Sequence, residues 1–264
     1  MSITVDDVMH YLDHLAPFDS AEAWDNVGLM VGNRSDSVKR ILLALDISEV
    51  VIEEAVQSQV NLIISHHPVI FKDLKRISSD YRLGKMLIKL IQNGVSAISA
   101  HTNLDVSSKH GINRYLADCY GLINQQPMSD LHLFGIVGNF QNAMSLETFT
   151  KMTKDLFKIE HIKYANVDRL TTIKKIAICS GASADFIHDA IQTGADLYVT
   201  SDVKYHEAQD AIGSKMGLVD VGHFESEVVY LSHLQSLLAQ QFNKQGESVQ
   251  VLVSTTEKPI FTYR

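Results

Sequence analysis

Short apolar runs alternate with amphipathic segments along almost the whole chain of 264 residues. Continuous apolar runs such as RILLAL at 40–45 and NLIIS at 61–65 are typical of strands that are buried on both faces of a sheet. The segments between such runs have helical periodicity, and Thr4 and Ser48 are placed to cap two of these helices. The alternation therefore predicts an α/β protein with largely parallel sheets.

The same pattern predicts the remaining elements and a division into two domains. The predicted strands are 40–45, 61–65, 95–99, 131–140, 174–179, 196–200, 217–221 and 249–253. The predicted helices are 4–15, 48–57, 80–92, 111–119, 145–157, 184–193, 205–212 and 225–242. The segment NQQPMSD at 124–130 is rich in residues that favour turns, so we place the boundary there. Two α/β domains are expected, at 1–125 and 126–264.

Composition narrows the expected partners and location. A formal charge of −8 argues against a nucleic-acid surface, because neutralising phosphates requires a basic stripe. The N-terminal segment MSITVDDVMHYLDHLAPF lacks the basic flank and apolar core of a signal peptide, and the apolar runs are too short for a membrane span. Cys119 and Cys179 lie far apart, which favours reduced thiols. The expectation is a cytoplasmic protein without membrane or nucleic-acid partners.

Polar residues follow the predicted strands at the positions where an open parallel sheet binds ligands, outside the carboxyl ends of its strands. Because strand ends must lead into polar loops in any protein, this pattern indicates a region rather than a site. The residues at these ends are Asp46, His66, His67, His101, Ser180, Asp202 and His223.

His66 and His67, followed by Pro68, form the sharpest local signal. Neighbouring side chains on a regular strand point to opposite faces, but the backbone can turn where a strand ends. Pro68 restricts His67 to an extended conformation. The pair suits ligands of two adjacent metals, or one metal ligand and one substrate contact. The alternative is an ordinary polar loop after a buried strand.

His223 and Glu227 are spaced four apart at the start of a predicted helix, so they share one helical face. Helical metalloprotease ligands use the same spacing, with an imidazole in place of the carboxylate. An acid in the first turn also complements the helix dipole, which explains Glu225 or Glu227 without a metal but does not explain His223. Asp202 and His206 have the same spacing and compete as a further metal-binding pair.

Asp105, in the segment HTNLD, is ambiguous from its residue type, because Asp is common in loops and can also cap the helix that starts near Gly111. Added to the two pairs above, it gives three imidazoles and two carboxylates, a set that suits zinc, manganese or iron. Calcium requires more oxygen ligands. Five ligands are too many for one tetrahedral structural zinc but leave open positions on two ions.

Four segments carry a family resemblance that spans most of the chain. WDNVGLMVG at 24–32, ISHHPVIF at 64–71, AHTNLD at 100–105 and VGHFESE at 221–227 resemble the motifs of the NIF-three-like (YbgI-type) dinuclear metal proteins, in the same order. Members of this family are often labelled GTP cyclohydrolase 1 type 2 homologues. The resemblance implies two α/β domains with largely parallel sheets and a metal cleft between them, and a toroidal homohexamer.

The resemblance also implies a ligand set and a function. Two divalent ions, zinc, manganese or iron, are expected on His66, His67, Asp105, His223 and Glu227. The function implied is metal-dependent hydrolysis of a nucleotide-like or small phosphorylated substrate, with GTP ring opening as its specific version. In this interpretation His101, Asp46 and Asp202 are the catalytic candidates, which orient water or substrate.

Two other hypotheses belong to different functional classes. One is a non-catalytic hexameric assembly that binds or delivers metal. The other is an interaction scaffold whose metals only hold the domains together. The residues themselves do not select GTP, and they do not decide between an enzyme and a metal-binding protein.

Overall fold

The structure is a computed structural model that describes residues 2–131, 133–168, 170–244 and 249–262. Residue 132, in the predicted strand 131–140, therefore lies outside the described residues. The chain forms two compact units, Met1–Leu104 with Leu231–Lys258 and Asp105–Tyr230 with Pro259–Arg264. Each unit contains one sheet, and the α/β class predicted from the sequence is confirmed.

The first unit is built on a five-stranded sheet. Its strands, numbered in chain order over the whole protein, are β1 (Gly28–Val31), β2 (Arg40–Ala44), β3 (Leu62–Ser65), β4 (Ser96–Ser99) and β11 (Gln250–Val253). They lie in the order β1-β4-β3-β2-β11, and all neighbours are parallel except β1 against β4. The helices of this unit are α1 (Val5–Leu15), α2 (Glu49–Gln57), α3 (Arg82–Gln92) and α10 (Leu231–Lys244).

Local sequence signals account for the starts of two of these helices. Thr4 accepts a hydrogen bond from the backbone of Asp7, and the Asp7 carboxylate accepts one from the backbone of Thr4, so the predicted capping box forms. Ser48 caps α2 by accepting from the backbone of Val51. Each cap satisfies a backbone N–H group of the first helical turn, and this determines the residue at which the helix begins.

The second unit is built on a six-stranded mixed sheet. Its strands are β5 (Ile123–Pro127), β6 (Ile136–Met144), β7 (Lys163–Ala165), β8 (Ile173–Ile178), β9 (Leu197–Thr200) and β10 (Gly217–Asp220). They lie in the order β5-β6-β8-β9-β10-β7; β8, β9 and β10 are parallel, and the other pairings are antiparallel. The helices are α5 (Ile112–Cys119), α6 (Leu146–Phe157), α7 (Ile187–Gln192), α8 (Tyr205–Gly213) and α9 (His223–Val228), and the short helix α4 (Thr102–Asp105) precedes α5.

The units differ from the predicted ranges 1–125 and 126–264. Helix α5 packs on β6 and β8, which assigns the residues after 104 to the second unit. Helix α10 packs on β2 and β11, and β11 extends the first sheet beside β2, so this late part of the chain returns to the first unit. The first unit is therefore formed by two separate segments of the chain, and no single boundary in the sequence divides the two units.

Two predicted elements take a different form. The turn-rich segment 124–130 contributes most of strand β5, which lies at the edge of its sheet, where Pro127 is tolerated. The predicted helix 225–242 is two helices, α9 and α10, with the buried Tyr230 between them. Among the described residues no helix combines the length and apolar character needed to cross a bilayer. Cys119 and Cys179 are both free thiols, as predicted.

Candidate metal centre

Three histidines collect at the carboxyl ends of β3 and β4 in the first unit. The backbone ladder continues past the strands, because the His66 N–H donates to the Ala44 carbonyl at 3.1 Å and the Ala100 N–H donates to the Ser65 carbonyl at 3.0 Å. This register places His66, His67 and His101 side by side. One ring nitrogen of each lies within 4.8 Å of the others, which is a spacing that can hold a metal ion.

Each of these imidazoles is oriented through its Nδ1 atom. His66 Nδ1 lies 2.9 Å from the Ala100 carbonyl oxygen, and His67 Nδ1 lies 3.2 Å from Asp46 Oδ1. His101 Nδ1 lies 2.9 Å from Asp25 Oδ1. Because carbonyl and carboxylate oxygens accept hydrogen bonds, Nδ1 carries the proton in each ring. The neutral ring then has its lone pair on Nε2, which is the form that binds metals.

The second unit brings His223 and Glu227 together on helix α9. His223 Nε2 lies 3.3 Å from Glu227 Oε2, so the spacing of four residues does place both groups on one face. His223 Nδ1 lies 2.8 Å from Asp202 Oδ2, which repeats the orientation of the histidines in the first unit. Glu227 is 3% exposed, and a carboxylate this deeply buried requires a compensating positive charge or several donors.

The loop after β8 covers Glu227 closely. Gly181 has a φ of +66°, and a Cβ atom at this position would lie 2.3 Å from Glu227 Oε1. The Gly181 N–H donates to Ser226 Oγ at 3.0 Å, and its carbonyl accepts from Ser201 Oγ at 2.5 Å. A glycine is therefore required both by the left-handed backbone and by the space that Glu227 occupies.

Asp105 lies at the end of α4, in the same unit as His223 and Glu227. Its backbone carbonyl accepts from Asn113 Nδ2 at 3.4 Å, and Asn113 Oδ1 accepts from the Ser180 N–H at 2.8 Å, so Asn113 links Asp105 to the loop after β8. Burial raises the pKa of Cys179 to about 12, and the negative charges of Asp105 and Glu227 add to that rise. Asp105 and Glu227 therefore both raise the pKa of the same buried thiol.

The structure places the catalytic candidates Asp46 and Asp202 beside histidines. Both carboxylates are exposed, and each contacts the Nδ1 atom of one proposed ligand, His67 or His223. Asp202 has a φ of +54°, a left-handed conformation that Asp tolerates. The competing pair of Asp202 with His206 does not form, because Asp202 contacts His223 and His206 Nδ1 contacts Gln209 Oε1 at 2.9 Å.

Asp25 is a functional candidate that the sequence reasoning missed. Its side chain is 0% exposed, and it accepts from His101 Nδ1, from the Thr102 N–H at 3.1 Å and from Thr102 Oγ1 at 2.5 Å. Burial alone would raise the pKa of Asp25, but the hydrogen bonds from His101 and Thr102 outweigh it and lower the pKa to about 2. Asp25 is therefore an anionic anchor for His101.

Glu257, near the end of the first unit, supports Asp46. Its carboxylate accepts from the Leu45 N–H at 2.9 Å and from the Asp46 N–H at 2.8 Å, so it closes the turn after β2. Burial raises the pKa of Glu257 and outweighs the lowering by these backbone donors. The orientation of His67 by Asp46 thus depends on a residue that follows β11 in the sequence.

Comparison with known proteins identifies the family. The sequence model of the family described as Duf34/NIF3 (NGG1p interacting factor 3) matches residues 3–259. The chain belongs to the Duf34/NIF3 family. The resemblance inferred from the four sequence motifs is thereby confirmed.

Known proteins similar to this chain match it over nearly its whole length. A Clostridium acetobutylicum protein named GTP cyclohydrolase 1 type 2 homolog is 35% identical over 261 residues, with 96% of each chain covered. A Clostridium perfringens protein of the same name is 34% identical over 264 residues, covering 98% of this chain and 99% of the relative. The crystal structure of a Staphylococcus aureus hypothetical protein is 32% identical, with a TM-score of 0.90 and all of both chains covered.

In this Duf34/NIF3 chain we expect the substitution Asp25→Asn to lower the free energy of unfolding by about 2–4 kcal/mol, because an amide nitrogen or oxygen replaces a buried charged acceptor of several hydrogen bonds. The measurement is urea denaturation of metal-free protein. The control is Asp73→Asn, at an exposed position, which should change stability by less than about 0.5 kcal/mol. Equal stabilities for the two variants would contradict the anchoring role of Asp25.

Proposed function

We propose that this Duf34/NIF3 protein binds two divalent metal ions through His66, His67, Asp105, His223 and Glu227, and hydrolyses a nucleotide-like or small phosphorylated substrate. The observation that carries the proposal is the common orientation of the imidazoles. His66, His67 and His223 each bind a carbonyl or carboxylate oxygen through Nδ1, which leaves the Nε2 lone pair as the ligand. Such oxygen partners are typical of histidines that bind metals.

The donor set fits divalent transition ions. Three imidazoles and two carboxylates suit zinc, manganese or iron, and the two carboxylates offset much of the charge of the ions. Glu227 is 3% exposed, and a bound divalent ion would place a positive charge beside its buried carboxylate. Gly181 leaves the space in which the Glu227 carboxylate lies.

Two divalent ions, if bound by these residues, would lower the pKa of a water and polarise the group to be cleaved. The chain's own residues provide the rest of the proposed mechanism. Asp46 and Asp202 hold the Nδ1 protons of His67 and His223 and so fix both rings. His101, held at Nδ1 by the anionic Asp25, would accept a proton at Nε2, and Asp25 would stabilise the charged ring.

The test begins with the metal-free protein, reloaded separately with zinc, manganese or iron and analysed for metal content. We expect two ions per chain. A panel of GTP, other nucleoside triphosphates and small phosphate esters is then screened for phosphate release and for loss of the purine absorbance. Metal-dependent turnover of one class supports the proposal, and His206→Ala, at an exposed histidine outside the ligand set, serves as the control variant.

The outcomes separate the two parts of the proposal. Fewer than one ion per chain would overturn the ligand assignment. Two ions per chain with no turnover of the panel would overturn the hydrolase and favour the alternative, a non-catalytic assembly that binds or delivers metal. The toroidal homohexamer implied by the family resemblance belongs to the proposal as well, and light scattering of the purified protein tests it.

A further inference from the structure

Two large aromatic side chains of the first unit are exposed next to each other. Trp24 is 58% exposed and Phe71 is 48% exposed. Their ring centroids are 5.9 Å apart and their planes are inclined by 39°. Single exposed apolar residues are common on protein surfaces, whereas Trp24 and Phe71 contact each other and together present a continuous aromatic face to solvent.

The pair stands beside the histidine group. The Trp24 ring lies 6.1 Å from the His101 ring at an angle of 76°, and the Phe71 ring lies 6.2 Å from it at an angle of 65°. His101 in turn lies with its ring 5.0 Å from that of His66. One side of the aromatic surface is therefore bordered by the histidine group, which could hold a metal ion.

Polar neighbours fix the aromatic pair in place. The side chain of Asp25, which follows Trp24, is buried and bound to His101 and Thr102. Asn26, the next residue, donates from Nδ2 to the Ile70 carbonyl at 2.6 Å, which ties the Trp24 loop to the residue before Phe71. A surface held in this way is preorganised, so a ligand that binds to it loses little free energy to ordering of the protein.

We propose that Trp24 and Phe71 form an aromatic wall that binds a planar heteroaromatic ring, such as a nucleobase, next to His101. This inference rests on the proposed function and specifies the substrate class of that site. The wall supplies an apolar face for the ring, and His101 supplies a polar contact at its edge. A ligand with an apolar face and polar edges is a nitrogen heterocycle.

Ring geometry and area both favour this occupant. Insertion of a third ring between Trp24 and Phe71 would require about 7 Å, two van der Waals contacts of about 3.5 Å, so the ligand stacks on an outer face. The two side chains together have at most about 500 Å² of surface. Trp24 is 58% exposed and Phe71 48% exposed, so only part of that surface is open to a partner. That area is below the roughly 800 Å² per partner of a stable protein interface, which makes a second copy of the chain the weaker alternative.

Trp24 is the only tryptophan of the chain, so intrinsic fluorescence reports on the wall directly. The protein is titrated, with and without metal, with guanosine, adenosine and ribose 5-phosphate under selective tryptophan excitation, with correction for nucleobase absorbance. We expect saturable quenching by the nucleosides and none by ribose 5-phosphate. The substitution Phe71→Leu should weaken nucleoside binding by about tenfold, because stacking on an aromatic face is lost.

The control is Phe261→Leu, at an exposed phenylalanine of the second unit, which should leave the quenching curve unchanged. Equal quenching by ribose 5-phosphate, or an unchanged curve for Phe71→Leu, would overturn the proposal. So would Trp24 emission that responds to protein concentration but not to nucleosides, because the wall would then be a contact between copies. Quenching that persists in a protein unable to bind metal would separate failure of the metal proposal from this one.

Discussion

Glutamine in place of Glu227 is expected to weaken metal binding by more than about a hundredfold, because an amide oxygen is a far poorer ligand than a carboxylate, and loss of a mere supporting partner already costs 10- to 100-fold. The substitution keeps the volume of a side chain that is 3% exposed, so it opens no cavity. It also removes a buried charge that lies 3.3 Å from His223 Nε2, so the stability of the metal-free variant is measured alongside its metal binding.

The measurement is thermal unfolding with and without added metal, since a ligand that binds only the folded state raises the melting temperature by an amount that grows with the logarithm of its affinity. Glu227→Gln should lose this rise. Glu225→Gln is the matched control, because Glu225 lies in the first turn of the same helix and is not a proposed ligand. If Glu227→Gln kept the rise, the carboxylate at 227 would not be a metal ligand.

His66→Ala tests the ligands of the first unit in the same assay. His66 is buried, with Nδ1 committed to the Ala100 carbonyl, so its loss should also abolish the metal-dependent rise. His10→Ala is the control at an exposed helical histidine. Retained metal in both His66→Ala and Glu227→Gln would overturn the ligand assignment.

Alanine at Gly181 is expected to lower metal affinity by about 10- to 100-fold, because its Cβ atom would displace the Glu227 carboxylate from its position. The same substitution also strains a left-handed backbone, which should destabilise the metal-free fold by about 1–2 kcal/mol. The two effects are measured separately, by metal titration and by urea denaturation.

Gly194→Ala separates strain from collision. Gly194 has a φ of +70°, close to that of Gly181, but no atom lies within 4 Å of the position of its added Cβ. It should therefore lose a similar amount of stability and bind metal as the wild type does. Equal metal affinity in Gly181→Ala and Gly194→Ala would show that the close approach of the loop to Glu227 is not needed.

Local sequence patterns were sufficient for the features that depend on neighbours along the chain. The caps at Thr4 and Ser48 form because they need only the residues of the next turn. The i, i+4 spacing of His223 and Glu227 gives their contact because a helix alone dictates it. The apolar runs predict β2, β3 and β4 because a strand that is buried on both faces has apolar residues at consecutive positions.

Features that depend on distant residues escaped the same reasoning. Asp25 binds His101 across 76 positions of sequence, and no local rule predicts that contact. The polar segment that forms β5 has mostly exposed residues, as expected of an edge strand, and its composition is therefore that of a turn. The catalytic role of Asp46 and Asp202 stays a prediction. Their contacts with His67 and His223 were not predicted, because they arise from strand pairing and from a left-handed backbone.

The return of the chain to the first unit has a consequence for synthesis. Residues 105–230 of the second unit are contiguous, so that sheet can complete as soon as they leave the ribosome, whereas the first sheet waits for β11. Glu257, which follows β11, is what closes the turn that carries Asp46. The twelve histidines of this sequence are therefore translated before His67 acquires its final orientation, and we expect competence for metal loading to arise only after Glu257 has been translated.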